Sequence, residues 1–201
     1  MLRVGLTGGL ASGKSFVGHA LAALGCYLIE ADQLGHDVMM PGAEAYDSIV
    51  REFGAGILEP DGQINRRKLG ALVWDHPDRL ARLSSFVHPA VWAREERRMA
   101  EIQQADPRAI AVVEAAILVE TGSYKRFDKL IVVTCTAEQQ MERAVSRGSY
   151  SREEVAARLA RQLPLQEKLR VADYVIDTSG AKENTLDQVR TVFETLRSLT
   201  V

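Results

Sequence analysis

The sequence predicts an α/β fold: a parallel five-stranded sheet flanked by helices, with a helical insertion and a short helical lid. Three observations predict it. Short runs rich in Val and Ile recur along the chain, separated by stretches of helical period. The runs are apolar throughout rather than alternating, which suits parallel strands buried on both faces. The gap between Ile29 and Ala109 is far longer than one crossover helix needs, so a separate helical element is inserted there.

Each element follows in order. Residues 2–7 form a first strand that ends in glycines. Residues 16–24 read as a helix, with Gly25 at the position of a left-handed stop. Residues 27–29 form a second strand closed by Glu30-Ala31-Asp32. Residues 109–113, 130–134 and 174–176 are the third, fourth and fifth strands. The insertion carries helical patterns at 43–53, 66–74, 77–86 and 89–104, with breaks at Gly54, Gly56, Pro60, Gly62 and Pro77. A final helix, 184–199, packs on the sheet. Right-handed crossovers bring all strand ends to one edge, where open sheets of this kind bind ligands.

Composition narrows the function classes. A chain of 201 residues with 46% hydrophobic and 26% charged residues is an ordinary globular domain. Lys plus Arg is 25 against 27 Asp plus Glu, a net charge of −2, so no global field favours nucleic acid or an anionic membrane. No apolar stretch approaches the ~18 residues of a membrane span. The first residues lack the pattern of a secretion signal. Cys26 and Cys135 are too few for a disulfide framework and are expected as buried free thiols, and no Cys/His cluster has zinc spacing. A cytoplasmic monomer is the expectation.

The strongest motif is Gly8-Gly9-Leu10-Ala11-Ser12-Gly13-Lys14-Ser15, a G-x-x-x-x-G-K-S phosphate loop between a strand and a helix. Glycines let the backbone turn its N–H groups inward, and the next helix adds its positive end. Lys14 is placed to reach β- and γ-phosphates and Ser15 to ligate Mg²⁺. Gly8, Gly9, Ala11, Ser12, Gly13 and Phe16 complete the nucleotide site. No N-K-x-D base-reading motif is present, and a small chain with a helical insertion fits a kinase for a small molecule.

Glu30 and Asp32 stand at the end of strand two. A carboxylate there can accept a bond from a hydroxyl nucleophile; alternatively both cap a helix starting near Gln33. Glu114 follows strand three, either as a water-mediated Mg²⁺ ligand or as a solvated strand end. From Arg143 to Arg170 seven basic residues face three acids. Arg143 and Arg147 read as phosphate contacts, and Arg152, Arg158 and Arg161 as a solvated helix face.

Taken together, these residues resemble the dephospho-CoA kinase family. Thr7 through Ser15 is similar to its T-G-G-x-x-S-G-K-S, and Glu30-Ala31-Asp32 to its D-A-D. Phe53-Gly54, Asp61-Gly62, Arg66 to Leu69 and His88-Pro89 resemble its F-G, D-G, R-x-x-L and H-P elements. Residues 117–120 are similar to the end of P-L-L-x-E, and Gln140, Arg143 and Arg147 to Q-x-x-R-x-x-x-R; Gln162 and Ala172-Asp173 also fall in place. The resemblance implies a P-loop kinase that uses ATP and Mg²⁺ to phosphorylate the ribose 3′-hydroxyl of dephospho-CoA, giving coenzyme A. It implies Asp32 as base or orienter of that hydroxyl. Arg66, His88, Leu118 and Glu120 would lie near the acceptor, and Arg143, Arg147 and Gly180 beside the nucleotide. Under it, residues 1–33, 107–146 and 171–201 form the core, 34–106 the acceptor-binding lobe and 147–170 the lid of a single kinase unit.

The sequence departs from the family at four places: Glu30 for Asp, Ala116 for Pro, Ala11 for a common Gly and Phe16 for a common Thr. Alanine has little freedom at positive φ, so position 11 is expected not to be left-handed. Two other readings stay open: a kinase for another alcohol such as a nucleoside, and a regulatory protein that binds nucleotide without turnover.

Overall fold

The computed structural model describes residues 1–148 and 151–200. Ser149 and Tyr150, within the expected lid, and Val201, within the expected core, lie outside the described residues. In chain order the elements are β1 (Leu2–Gly8), α1 (Lys14–Ala23), β2 (Tyr27–Glu30), α2 (Ala31–Asp37), α3 (Tyr46–Phe53), α4 (Arg66–Val73) and α5 (Pro77–Ala105). They continue with β3 (Ile110–Glu114), β4 (Lys129–Thr134), α6 (Ala137–Ser146), α7 (Arg152–Ala160), α8 (Leu165–Leu169), β5 (Tyr174–Asp177) and α9 (Lys182–Ser198). Two compact units result: residues 1–30 with 100–201, and residues 31–99.

The first unit is the sheet, parallel throughout, in the order β2-β3-β1-β4-β5. Leu6 is in register with Glu114 on one side and Ile131 on the other. Alternate strand residues Val4, Leu6, Val112, Ile131, Val133 and Ile176 meet Val17 and Leu21 of α1 and Val189 and Leu196 of α9 in one buried cluster. Each such side chain contributes roughly 1.5–3 kcal/mol on burial, so this helix–sheet layer is the main source of the unit's stability. On the opposite face Gly5 leaves room for Leu118: a Cβ on Gly5 would stand 3.0 Å from its Cδ1.

The second unit is helical. Ile49, Ile57, Leu69 and Val73 are buried in it. The Asn65 side chain accepts the Lys68 N–H at 2.8 Å and caps α4. Arg94 of α5 forks onto both oxygens of Glu44, and those bonds hold the Glu44 carboxyl down at about 2.

Four sequence expectations need correction. The helix after the phosphate loop begins at Lys14, two residues early, because Gly13 at φ 95 makes the break itself. Strand three extends through Glu114. The patterns at 77–86 and 89–104 are one helix, α5, with Pro89 inside it. Proline removes one backbone bond at a cost of ~3 kcal/mol, but it does not stop a helix held on both sides by other contacts. Finally, strand two runs one residue further than expected, to Glu30, and in the sheet β3 lies between it and β1. Among the described residues no helix is long and apolar enough to cross a membrane.

Candidate active site

The phosphate loop connects β1 to α1. Gly8 is required by close approach: a Cβ there would fall 2.4 Å from the Val133 carbonyl oxygen of β4. Gly13 adopts φ 95, and a Cβ on it would press on the Thr178 side chain at 3.1 Å. Ala11 is left-handed at φ 55, the one such non-glycine residue among those described, which overturns the expectation from its alanine side chain. The strain is balanced by bonds that local sequence does not reveal. The Ser12 N–H closes a turn onto the Gly9 carbonyl, Gln140 Nε2 donates to the Leu10 carbonyl at 2.9 Å, and the Leu10 N–H donates to Gln162 Oε1 at 2.9 Å.

No side chain caps the first turn of α1, in contrast to the Thr136–Gln139 and Ser151–Glu154 capping boxes of α6 and α7. The first N–H groups of α1 therefore point toward the loop, as anion binding requires. Lys14 Nζ donates to the carbonyls of Gly8 and Gly9 at 3.2 and 3.1 Å, which holds the ammonium over the loop. Ser15 Oγ donates to Glu114 Oε1 at 2.8 Å. Glu114 is buried at 6% exposure, so the reading of it as a solvated strand end is replaced by that of a carboxylate held inside the site.

A pocket of about 370 Å³ opens beside the loop. Ala11, Gly13 and Phe16 line it from one side, and Arg143, Arg147 and Gly180 from others. The sequence did not mark Thr178, which organises this wall. Its hydroxyl donates to the Ser12 carbonyl at 2.7 Å and accepts from Arg143, whose second nitrogen donates to the Thr178 carbonyl at 2.7 Å. Arg143 is thus fixed in direction, and Arg147 caps the carboxyl end of the same helix. Cys135, half-buried next to this wall, has its thiol pushed up by burial, while Cys26 is pushed up to about 12 by the same cause. Neither thiol is activated as a nucleophile.

The remaining predicted residues are placed differently. Leu118 is 4% exposed and packs against Gly5 of β1, so its side chain belongs to the core. Glu120 accepts from Lys168 Nζ of α8 at 2.5 Å, and the Ala116 carbonyl lies 3.5 Å from the same nitrogen. Its carboxylate neutralises a buried cation. In the helical unit, Asp32 is exposed in the first turn of α2. The helix starts at Ala31, so Asp32 is no strand residue and does not precede the helix as a cap. Arg66 donates to His36 Nε2 at 2.5 Å. Burial, then the Arg66 charge, holds the His36 pKa below its usual value, consistent with a neutral ring that accepts at Nε2. His36 lies one turn after Asp32 and was not singled out from the sequence; only its i,i+4 spacing from Asp32 marked it. His88 stands within α5, its ring 6.0 Å from that of Trp92, and burial lowers its pKa.

Comparison with known proteins bears on this site. The model of the family described as dephospho-CoA kinase matches residues 2–184. The dephospho-CoA kinase of Aquifex aeolicus is 40% identical over 196 residues, 98% of either chain. That of Geobacter sulfurreducens is 43% identical over 180 residues, 90% of this chain and 91% of the relative. The solved dephospho-CoA kinase of Campylobacter jejuni superposes with a TM-score of 0.73 at 25% identity, covering 99% of this chain and 98% of that one. A family match across most of the length, relatives at 40% identity from end to end and a shared fold agree: this chain belongs to the dephospho-CoA kinase family.

Proposed function

We propose that Lys14, Arg147 and Asp32 carry the family's reaction in this chain, the ATP-dependent phosphorylation of the ribose 3′-hydroxyl of dephospho-CoA to coenzyme A. The observation that supports this reading most is the convergence of Lys14, Ser15, Arg143 and Arg147 around one loop at the carboxyl end of β1. Phosphoryl transfer needs little covalent chemistry from the protein, mainly positioning and charge stabilisation. The loop N–H groups and Lys14 hold the β- and γ-phosphates. Arg143, braced on Thr178, presents a rigid fork to phosphate oxygens, and Arg147 adds a second charge as the γ-phosphoryl group departs. Gly180 and Phe16 flank the nucleotide.

Asp32 orients the acceptor hydroxyl and takes its proton, with Arg66 and His88 of the helical lobe assigned to the acceptor. Mg²⁺ suits the residues present. Ser15 and Glu114 offer a hydroxyl and a buried carboxylate, hard oxygen donors of the kind Mg²⁺ shares with substrate phosphates. Ser15 would hold the ion directly and Glu114 through water. When bound, the ion supplies neutralisation of phosphate charge. The chain is taken to act as a cytoplasmic monomer on small molecules without nucleic acid; its near-neutral charge supports the last of these.

The test supplies purified protein with ATP and Mg²⁺ and, separately, dephospho-CoA, a nucleoside or no acceptor. ADP forms only with dephospho-CoA if the reading holds. Asp32→Asn then lowers the transfer rate by about 10²–10⁴ while leaving ATP affinity near wild type. Glu30→Gln has the smaller effect. A crippled Glu30→Gln beside an active Asp32→Asn moves the role to Glu30, and two active variants leave the junction of β2 and α2 without a catalytic acid.

A further inference from the structure

The nucleotide loop holds an alanine where its turn calls for glycine, and something must hold that turn. Gly9 to Ser12 form a β-turn closed by the Ser12 N–H on the Gly9 carbonyl. Its third residue, Ala11, has φ 55, whereas Leu10 is not at positive φ. That combination is a type II turn, in which the third position strongly prefers glycine. Rotating the Leu10–Ala11 peptide by half a turn would return Ala11 to negative φ and relieve the strain. The same rotation exchanges the directions of the Leu10 carbonyl and the Ala11 N–H, because the two are antiparallel in a trans peptide.

Gln140 bonds to that peptide. Its Nε2 donates to the Leu10 carbonyl at 2.9 Å, and its amide lies so close to Gly9 that a Cβ on residue 9 would fall 2.1 Å from Nε2. On the other side the Leu10 N–H is held by Gln162 Oε1. The Leu10 side chain packs with Met141 and Leu159 against Ala11, Ala144 and Val155. Resting on the nucleotide-loop reading above, we propose that Gln140 is the positioning residue that selects the orientation of the Leu10–Ala11 peptide for nucleotide binding. It keeps the carbonyl oxygen turned away and the Ala11 N–H available to a phosphate oxygen, on a residue that lines the pocket. In the flipped peptide a carbonyl dipole would face the phosphates and repel them. Gly9 is glycine so that the Gln140 amide can reach its acceptor, and Gln162 ties the residues following α7 to the same turn.

The test is a double-mutant cycle between Gln140 and Ala11. It is read as the affinity for AMP-PNP with Mg²⁺ and, in nucleotide-free protein, as the melting temperature. Gln140→Ala is expected to weaken AMP-PNP about tenfold, the scale of one lost hydrogen bond plus the shifted turn. Gln140→Glu, which keeps the shape but not the donor, does the same. On the Gln140→Ala background Ala11→Gly returns about fivefold, more than it gains where Gln140 is present, because glycine removes the left-handed penalty. Gly9→Ala reproduces the Gln140→Ala loss, and the pair is no worse than either single change. The inference is overturned if Gln140→Ala binds as wild type, or if Ala11→Gly recovers nothing. Should wild-type protein fail to bind AMP-PNP, the nucleotide-loop reading fails. The melting-temperature cycle then decides the turn by itself: coupling between the two positions supports the role of Gln140, and strict additivity overturns it.

Discussion

Replacing Glu120 with leucine removes the counter-charge of a lysine that has almost no access to water. The Lys168 side chain is 2% exposed and that of Glu120 20%. Three ammonium protons need acceptors; Glu120 Oε1 stands at 2.5 Å and the Ala116 carbonyl at 3.5 Å. Without the carboxylate the buried cation keeps only the distant carbonyl, and removing one partner of a buried pair costs about 3–5 kcal/mol. The reverse change, Lys168→Met, strands a carboxylate that water can still reach, so about 1–2 kcal/mol is expected. The double variant replaces the pair by apolar chains of similar volume, a swap that is commonly neutral or stabilising. It should lie within about 1 kcal/mol of wild type. In a chain of this size 1 kcal/mol moves Tm by about 2–4 °C. Glu120→Leu should therefore lower Tm by on the order of 10 °C, with most of the loss returned by the second change. Calorimetry at neutral pH measures all three. A double variant whose loss equals the sum of the singles would refute the argument, since it would mean that the two groups do not depend on one another.

Other expectations follow from the same geometry. Lys14→Ala should lower turnover by about 10³-fold, because the ammonium acts where charge shifts, while the melting temperature stays within a few degrees. Near-normal activity with an intact melt would remove Lys14 from the reaction. Arg147→Ala should cost about 10²–10³ in kcat, whereas Arg158→Ala, on α7, should cost less than about fivefold. Equal small losses would place Arg147 outside the chemistry. Burial holds His88 and His36 below their ordinary pKa of 6.5, so the unfolded chain binds more protons as pH falls through that value. Stability should drop between pH 7.5 and 5.5, and the drop should shrink in His88→Gln. An unchanged difference between the two melts would show that His88 contributes nothing to it.

Strands were most legible where burial on both faces leaves a continuous apolar run, as in β3 and β4. The phosphate loop was legible because its glycines answer backbone demands that appear at fixed spacing. Ala11 was misread for a physical reason: the bond that offsets its strain comes from Gln140, 129 residues further along and invisible to local pattern. Pro89 was misread because a local rule ignores the bonds that hold α5 before and after it, Arg82 to Glu52 and Arg94 to Glu44. Glu120 had the residue type of a ligand contact, and only the fold brought Lys168 to it. Thr178 and His36 carried little local signal. A threonine after a strand becomes a brace only when Arg143 and Ser12 arrive from elsewhere in the chain.

The strand order also governs how the chain is made. β1 lies between β3 and β4, and its first partner is Ile110, 108 positions beyond Leu2. A ribosome adding roughly 5–20 residues per second needs roughly 5–20 s to cover that distance. Throughout that interval the apolar strand bearing the nucleotide loop has no neighbour on either side, while the helical stretch from Ala31 to Met99 is completed. Helices form from local contacts and can condense early, whereas parallel pairing across such a separation is slow. Exposed Val4 and Leu6 on a nascent chain are a target for chaperones and for association between chains. A permuted protein that begins within the connection before β3 would give β1 its partners soon after synthesis, and should aggregate less on expression at equal stability.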